Sequence, residues 1–293
     1  SRFNGHVVSE ADHRAVSFNC AQRSNLTPPA CHPATLAGLA LALALMVIGT
    51  QAAEVASPQT VFYGAEGEVR QSLDIYTLAE GPSLPVVLSV HGGGWAFGDK
   101  SAVGAKPSFL LKQNIAFISM NYRLRWDYQV ADQAQHIAQA IAWLRDNASA
   151  HNLDSSRLVL MGHGSGAHLV SLVATDSSYL KAAGLDLSDV GGVVAVVGDA
   201  YDIGRQMREL GSFLQRRHLE LIFGSDSKQW AAFSPLTHVR SDKNIPAFAL
   251  LHLDEELPAL QSRGFAKALL DAGVDAVILP ARGETKDPPD QRL

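Results

Sequence analysis

The residues with the most chemical promise lie between two apolar runs. Leu158-Val159-Leu160-Met161 reads as a strand and Leu169 to Ala174 as a helix, with Gly162-His163-Gly164-Ser165-Gly166-Ala167-His168 between them. A strand-to-helix turn this tight thrusts its apical side chain into a cleft, an arrangement that suits a hydroxyl nucleophile beside a base. The framing glycines Gly162 and Gly166 put the apex at Gly164, which has no side chain, and the serine falls one residue late, at Ser165. Ser165 is a nucleophile only through a shifted turn. Otherwise it opens the helix, offering its N–H to the cleft and its hydroxyl as a cap.

A second glycine turn, His91-Gly92-Gly93-Gly94-Trp95, follows the apolar run Pro85 to Val90. Consecutive glycines let backbone N–H groups converge on developing negative charge with no side chain in the way. A phosphate loop is excluded, because Lys100 follows Asp99 and no Gly-Lys-Ser/Thr occurs there. The turn at 162–167 also matches Gly-x-Gly-x-x-Ala, a dinucleotide fingerprint. That chemistry needs an acid closing the next strand, and Asp186 stands in a polar loop. His91, His163, His168 and His252 lack metal-ligand spacing, and neither metal nor cofactor is expected.

The elements that must hold these turns are short apolar strands alternating with helices. Ser72 to Tyr76 alternates like an edge strand. Ala116–Met120, Gly192–Val197, Pro246–Leu251 and Ala276–Pro280 are continuous apolar runs, as buried parallel strands are. Val130 to Arg145 is an amphipathic helix with Val130, Ala134, Ile137, Ile141 and Leu144 on one face. Another helix, carrying Phe265, Leu269 and Ala272, precedes the last strand. This alternation implies an α/β fold, a mostly parallel sheet covered on both faces, with ligands at the carboxyl ends of its strands. Both glycine turns lie at such ends.

The chain has 293 residues, 47% of them hydrophobic, and a net charge of −5. That suffices for one large core, and the absence of a basic run argues against a nucleic-acid partner. Both cysteines, Cys20 and Cys31, precede the body, which excludes a disulfide framework or a cysteine nucleophile there. Residues 1–32 show no period and read as disordered or non-native. Residues 33–53 contain the apolar run Leu36 to Ile48 followed by small residues, the pattern of a secretory signal or of a short membrane anchor. The expected organisation is a single α/β domain over 54–293, exported or membrane-anchored, with membrane contact only if that segment is uncleaved.

His91-Gly-Gly-Gly-Trp95 with Gly98-Asp99-Lys100, Asn121-Tyr122-Arg123, the turn at 162–168 and Ser234-Pro235-Leu236-Thr237-His238-Val239 together resemble the bacterial α/β-hydrolase esterase family. The similarity runs from about Val61 to Gly283 and favours the branch of lipase-like carboxylesterases and arylformamidases. It implies an α/β-hydrolase fold, an oxyanion hole from the N–H groups of Gly93 and Gly94, and a small-molecule acyl ester as substrate. In the family the elbow reads Gly-His-Ser-Ala-Gly-Ala-His, so Gly164-Ser165 stands where Ser-Ala is expected. The catalytic acid is expected after the strand ending at Leu251, at Asp254 or, one residue on, Glu255. The base should be a later histidine, but Lys286 stands at that place and no histidine follows His252. A solvated lysine is a poor base near neutrality. The family also continues into a final helix, so the resemblance implies a shortened end. The expected function is hydrolysis of a carboxylic ester or an amide-like bond; the alternative is a non-catalytic binding protein or a decayed pseudoenzyme on the same fold.

Overall fold

The computed structural model describes residues 57–125, 128–253 and 256–280. The strands are β1 (Gln59–Phe62), β2 (Ser72–Tyr76), β3 (Leu84–Val90), β4 (Ala116–Met120), β5 (Leu153–His163), β6 (Gly192–Val196), β7 (Ala247–His252) and β8 (Ala276–Pro280). The helices are α1 (Lys106–Leu111), α2 (Val130–Asn147), α3 (Ser165–Thr175), α4 (Ser177–Ala182), α5 (Ile203–Glu209), α6 (Phe213–Phe223), α7 (Ser227–Phe233) and α8 (Glu256–Asp271).

The strands form one sheet in the order β1-β2-β4-β3-β5-β6-β7-β8. β1, β2 and β4 pair antiparallel, and every pairing from β4 through β3 to β8 is parallel. Ser72–Tyr76 is not the edge strand its alternation suggests. It lies between β1 and β4, and all its residues are buried. The covering strand Gln59–Phe62 is too short and too polar to announce itself.

Strand order reverses between β3 and β5, where Val90 pairs with Gly162, so both glycine turns leave the sheet side by side at its switch point. Such a crevice is where ligands bind in open parallel sheets. Alternation along the strands supplies the two faces. Val86, Leu88, Val90, Ala116, Ile118 and Met120 join the larger core with α2 and α3, while Val87 and Phe117 turn to the other face beside Leu110 of α1. All of α3 is buried, so its Ser171 and Thr175 hydroxyls bond back to the carbonyls of Ala167 and Ser171, at 2.7 and 2.8 Å. Among the described residues no helix is long and apolar enough to cross a membrane. The apolar run Leu36 to Ile48 and the proposed boundaries at 32 and 53 lie outside those residues.

Candidate active site

The elbow is set by backbone contact. A Cβ on Gly162 would stand 2.3 Å from Gly166 O, and one on Gly166 would stand 2.2 Å from Val90 O. Only glycine lets α3 start this close to β5 and β3. Gly164 has φ 55 and ψ −120, and its N–H donates to Val196 O at 3.0 Å. A Cβ there would meet nothing closer than Gly92 Cα at 4.0 Å, so the apex has room for a side chain that the sequence does not supply.

Ser165 is the first residue of α3 and is 4% exposed. Its hydroxyl does not cap the helix, and Oγ lies buried near the Tyr122 phenol without a well-formed hydrogen bond. The shift of one residue has carried the hydroxyl from the cleft to its wall.

The glycine loop after β3 runs through three consecutive positive-φ residues, Gly93 (121°), Gly94 (59°) and Trp95 (63°). Gly93 O accepts from Phe97 N at 3.0 Å, while among the described residues the N–H groups of Gly93 and Gly94 find no backbone acceptor. Residues far away in sequence brace this loop. Gln133 Nε2 donates to Trp95 O at 2.8 Å and to Arg123 O at 3.0 Å. Tyr122 Oη donates to His91 O at 2.9 Å. Lys100 N donates to Asn121 Oδ1 at 2.7 Å, Asn121 Nδ2 donates to Asp99 Oδ2 at 3.0 Å, and Lys100 Nζ pairs with the buried Asp74. Those bonds explain why Gly98-Asp99-Lys100 and Asn121-Tyr122-Arg123 accompany the glycine turn.

His91, His168 and His252 make hydrogen bonds within the protein, while His163 lines a cavity. His168 is fully buried; its Nδ1 accepts from Trp95 Nε1 at 3.2 Å and its Nε2 faces Phe233 O at 2.8 Å. That pair of bonds assigns the proton to Nε2. Burial drives its pKa down to about 4, so it stays neutral. Phe233 is held by the next motif, since Ser234 Oγ accepts from Ile203 N at 3.0 Å and donates to Trp230 O at 2.7 Å. His91 stacks on Tyr122 at 4.4 Å and its Nδ1 meets Gly92 O; His252 Nδ1 meets Leu253 O, both at 2.8 Å. Burial lowers the pKa of His91 and of His163.

Gly93, Gly94, Gly164 and Ser165 open on one cavity of about 820 Å³. That volume suits a small organic ligand. Trp95 and His163 line it too, and its remaining polar walls were not singled out from sequence. Asp199 follows β6, Gln206 and Glu209 come from α5, His218 from α6, and Glu256 opens α8. The available signal for Asp199 was its place at the carboxyl end of a strand. His218 had none, since it sits mid-helix on an exposed face and reaches Gly94 only through the fold. Its Nε2 would stand 3.1 Å from a Cβ on Gly94. Asp254, Glu255 and Lys286 lie outside the described residues. Among the described residues, no group of three or more His, Cys, Asp or Glu side chains is arranged to hold a metal ion. Asp186 accepts from Ser188 N at the start of a single 3₁₀ turn, away from any strand end, so the dinucleotide reading gains nothing.

The mostly parallel sheet and the two glycine turns at its switch point define an α/β-hydrolase fold. Residues 73–269 match the BD-FAE family, and the chain belongs to it. The chain is 29% identical over 230 residues to esterase LipQ of Mycobacterium tuberculosis, covering 73% of this chain and 53% of that protein. It is 27% identical over 240 residues to the probable isoprenylcysteine alpha-carbonyl methylesterase ICMEL2 of Arabidopsis thaliana, covering 78% and 56%. The chain thus spans about half the length of these relatives. Among solved structures, esterase B of Lactobacillus rhamnosis shares the fold with a TM-score of 0.68 at 22% identity, over 84% of this chain and 82% of that one. The bifunctional GH43-CE protein of Bacteroides eggerthii matches with a TM-score of 0.64 at 25% identity, over 76% and 34%.

Proposed function

We propose that the protein is a carboxylic-ester hydrolase that takes a small acyl ester into the 820 Å³ cavity and polarises its carbonyl at the glycine loop. The observation carrying this is the convergence of Gly93, Gly94, Gly164 and the start of α3 on that single cavity. Family membership and the esterase relatives support it.

In this reading the N–H groups of Gly93, Gly94 and Ser165 hold the developing oxyanion, with the N-terminal end of α3 adding its dipole. Ser165 acts through its backbone, because its hydroxyl is buried off the apex. Water attacks the acyl carbon directly, the bond to the alcohol oxygen breaks as the tetrahedral intermediate collapses, the water's proton passes through solvent to the departing alkoxide, and the rate is that of an oxyanion hole lacking an apical nucleophile. Such sites retain roughly 10³–10⁴-fold acceleration over water. Asp254 and Glu255, which follow β7 in the sequence, remain the proposed acids. The apolar run at 36–48 supports delivery of the domain out of the cytoplasm, by a signal or an anchor.

Steady-state hydrolysis of p-nitrophenyl acetate by the full chain tests the reading. The expected result is slow, saturable turnover, with Ser165→Ala within about threefold of the original chain. A fall of about 10²-fold or more in that variant makes the Ser165 hydroxyl the nucleophile and overturns direct attack by water. A rate with no saturation favours the second reading, a non-catalytic binding protein, for which the bare Gly164 apex speaks.

A further inference from the structure

No histidine follows His252 in the sequence, so the proton of the attacking water has no base at the place where this fold supplies one. Two imidazoles nevertheless open on the cavity, His163 and His218. They stand against different residues of the glycine loop. His163 Nδ1 is 3.1 Å from the place of a Cβ on Gly92, and His218 Nε2 is 3.1 Å from that of a Cβ on Gly94. The packing of α6 holds His218 there. Leu219, Ile222 and Phe223 are its buried side, and Phe223 meets the Trp95 ring edge-on at 4.9 Å. His218 itself is exposed, and neither ring nitrogen has a hydrogen-bond partner among the described residues. The rings of His91, His168 and His252 are already committed to backbone groups.

The two cavity imidazoles differ in their surroundings. Burial, and after it Lys106, lower the pKa of His163, and a cation beside a base opposes the imidazolium it must become. His218 has a carboxylate within electrostatic reach, that of Asp199, which lines the same cavity. Burial raises the Asp199 pKa, while its hydrogen bonds and the His218 imidazole oppose the rise. Gln206 Nε2 donates to Asp199 Oδ2 at 3.1 Å and fixes the carboxylate in place. On either side of Asp199 the backbone is unfavourable, with Val197 at φ 50 and Ala200 at φ 59. A β-branched residue at positive φ is an outlier that the surrounding fold must impose, and such strain gathers at functional sites.

We propose that His218 is the general base for attack by water, with Asp199 as the positioning residue that stabilises its charged form. The inference rests on the ester-hydrolase reading above. His218 Nε2 accepts a proton from the water as the water oxygen bonds to the acyl carbon, and the carbonyl electron pair moves onto the oxygen held at the glycine loop. When that pair returns, the bond to the alcohol oxygen breaks, and the imidazolium gives its proton to the departing alkoxide. Acid and alcohol leave, and the imidazole is neutral again. Solvent carries this proton where no base is at hand; His218 takes over that role.

Steady-state hydrolysis of ethyl acetate and of p-nitrophenyl acetate by the full chain tests it. Ethoxide needs a proton to leave and p-nitrophenolate does not, so the two esters should respond differently. His218→Ala is expected to lower kcat/KM by about 10²-fold or more for ethyl acetate and by under about tenfold for p-nitrophenyl acetate. Added imidazole should restore ethyl acetate hydrolysis by that variant in a saturable way. Asp199→Asn should lower kcat for ethyl acetate with KM unchanged, and should add under about threefold to the loss in the His218→Ala background. His163→Gln should leave both esters within about threefold. Should His218→Ala fail to fold, His218→Gln carries the same comparison between esters. Equal losses on the two esters, no rescue by imidazole, or a loss that follows His163 instead overturns the base and leaves the ester reading standing. No saturable turnover of either ester by the original chain overturns both.

Discussion

At the scale of single residues, three glycines of one turn do two different jobs. Gly162 and Gly166 are required by contact, because a Cβ on either would lie within 2.4 Å of backbone. Gly164 is required by neither contact nor crowding, only by its φ of 55. Urea unfolding should therefore rank the alanine variants sharply. Gly164→Ala is expected to cost about 1–2 kcal/mol of backbone strain. Gly162→Ala and Gly166→Ala are expected to cost about 3 kcal/mol or more, since two backbone segments must part. Equal costs would show that the turn is not packed as described. A second residue-scale test concerns Lys100, whose ammonium pairs with Asp74, their side chains 12% and 8% exposed. Lys100→Met strands a buried carboxylate and should cost about 3–5 kcal/mol in the same measurement.

At the scale of elements, the site joins loops that other elements brace. The glycine loop after β3 is held by Gln133 of α2 and by His168 of α3 as well as by its own turn. Gln133→Leu removes two buried hydrogen bonds without touching the cavity wall. It should destabilise the fold by about 1–3 kcal/mol. It should also lower kcat/KM for p-nitrophenyl acetate with little change in the affinity for an alcohol product, because the loop's N–H groups lose their aim. Unchanged kcat/KM would mean that the loop holds its shape without that brace. The motifs 98–100, 121–123 and 234–239 belong to this scale as well. Each is a set of hydrogen bonds that stiffens a turn, which is why residues so scattered in sequence accompany one another.

At the scale of the whole molecule, buried neutral histidines set the response to acid. Burial takes His168 and His136 from an ordinary value of 6.5 down to about 4 in the folded state. Between those values the unfolded chain binds protons that the native chain refuses, so stability falls as pH drops from about 6.5 toward 4. Each such histidine contributes a slope of about 1.4 kcal/mol per pH unit within that window. The raised Asp199 carboxyl works in the opposite direction but is a single group. Denaturant midpoints at pH 7 and pH 5 should thus differ, with the lower midpoint at pH 5. His168→Gln should reduce that difference, and equal midpoints in the original chain would refute the account.

Much of this architecture was legible in order of residues. Apolar runs of strand length alternating with one-faced helices fix a parallel sheet, because only burial on both sides justifies such runs. Paired glycines at two strand ends mark the close approaches, and the missing side chain at Gly164 marks the altered apex; these are local facts of sterics. What the sequence could not show is which remote groups the sheet brings to those turns. The interior place of β2 depends on pairing with a short strand that carries little signal of its own. The burial of the Ser165 hydroxyl depends on where α3 starts against β3. The cavity lining draws Asp199, Gln206 and Glu256 from three elements separated by other strands and helices, and convergence of that kind exists only once the chain is folded.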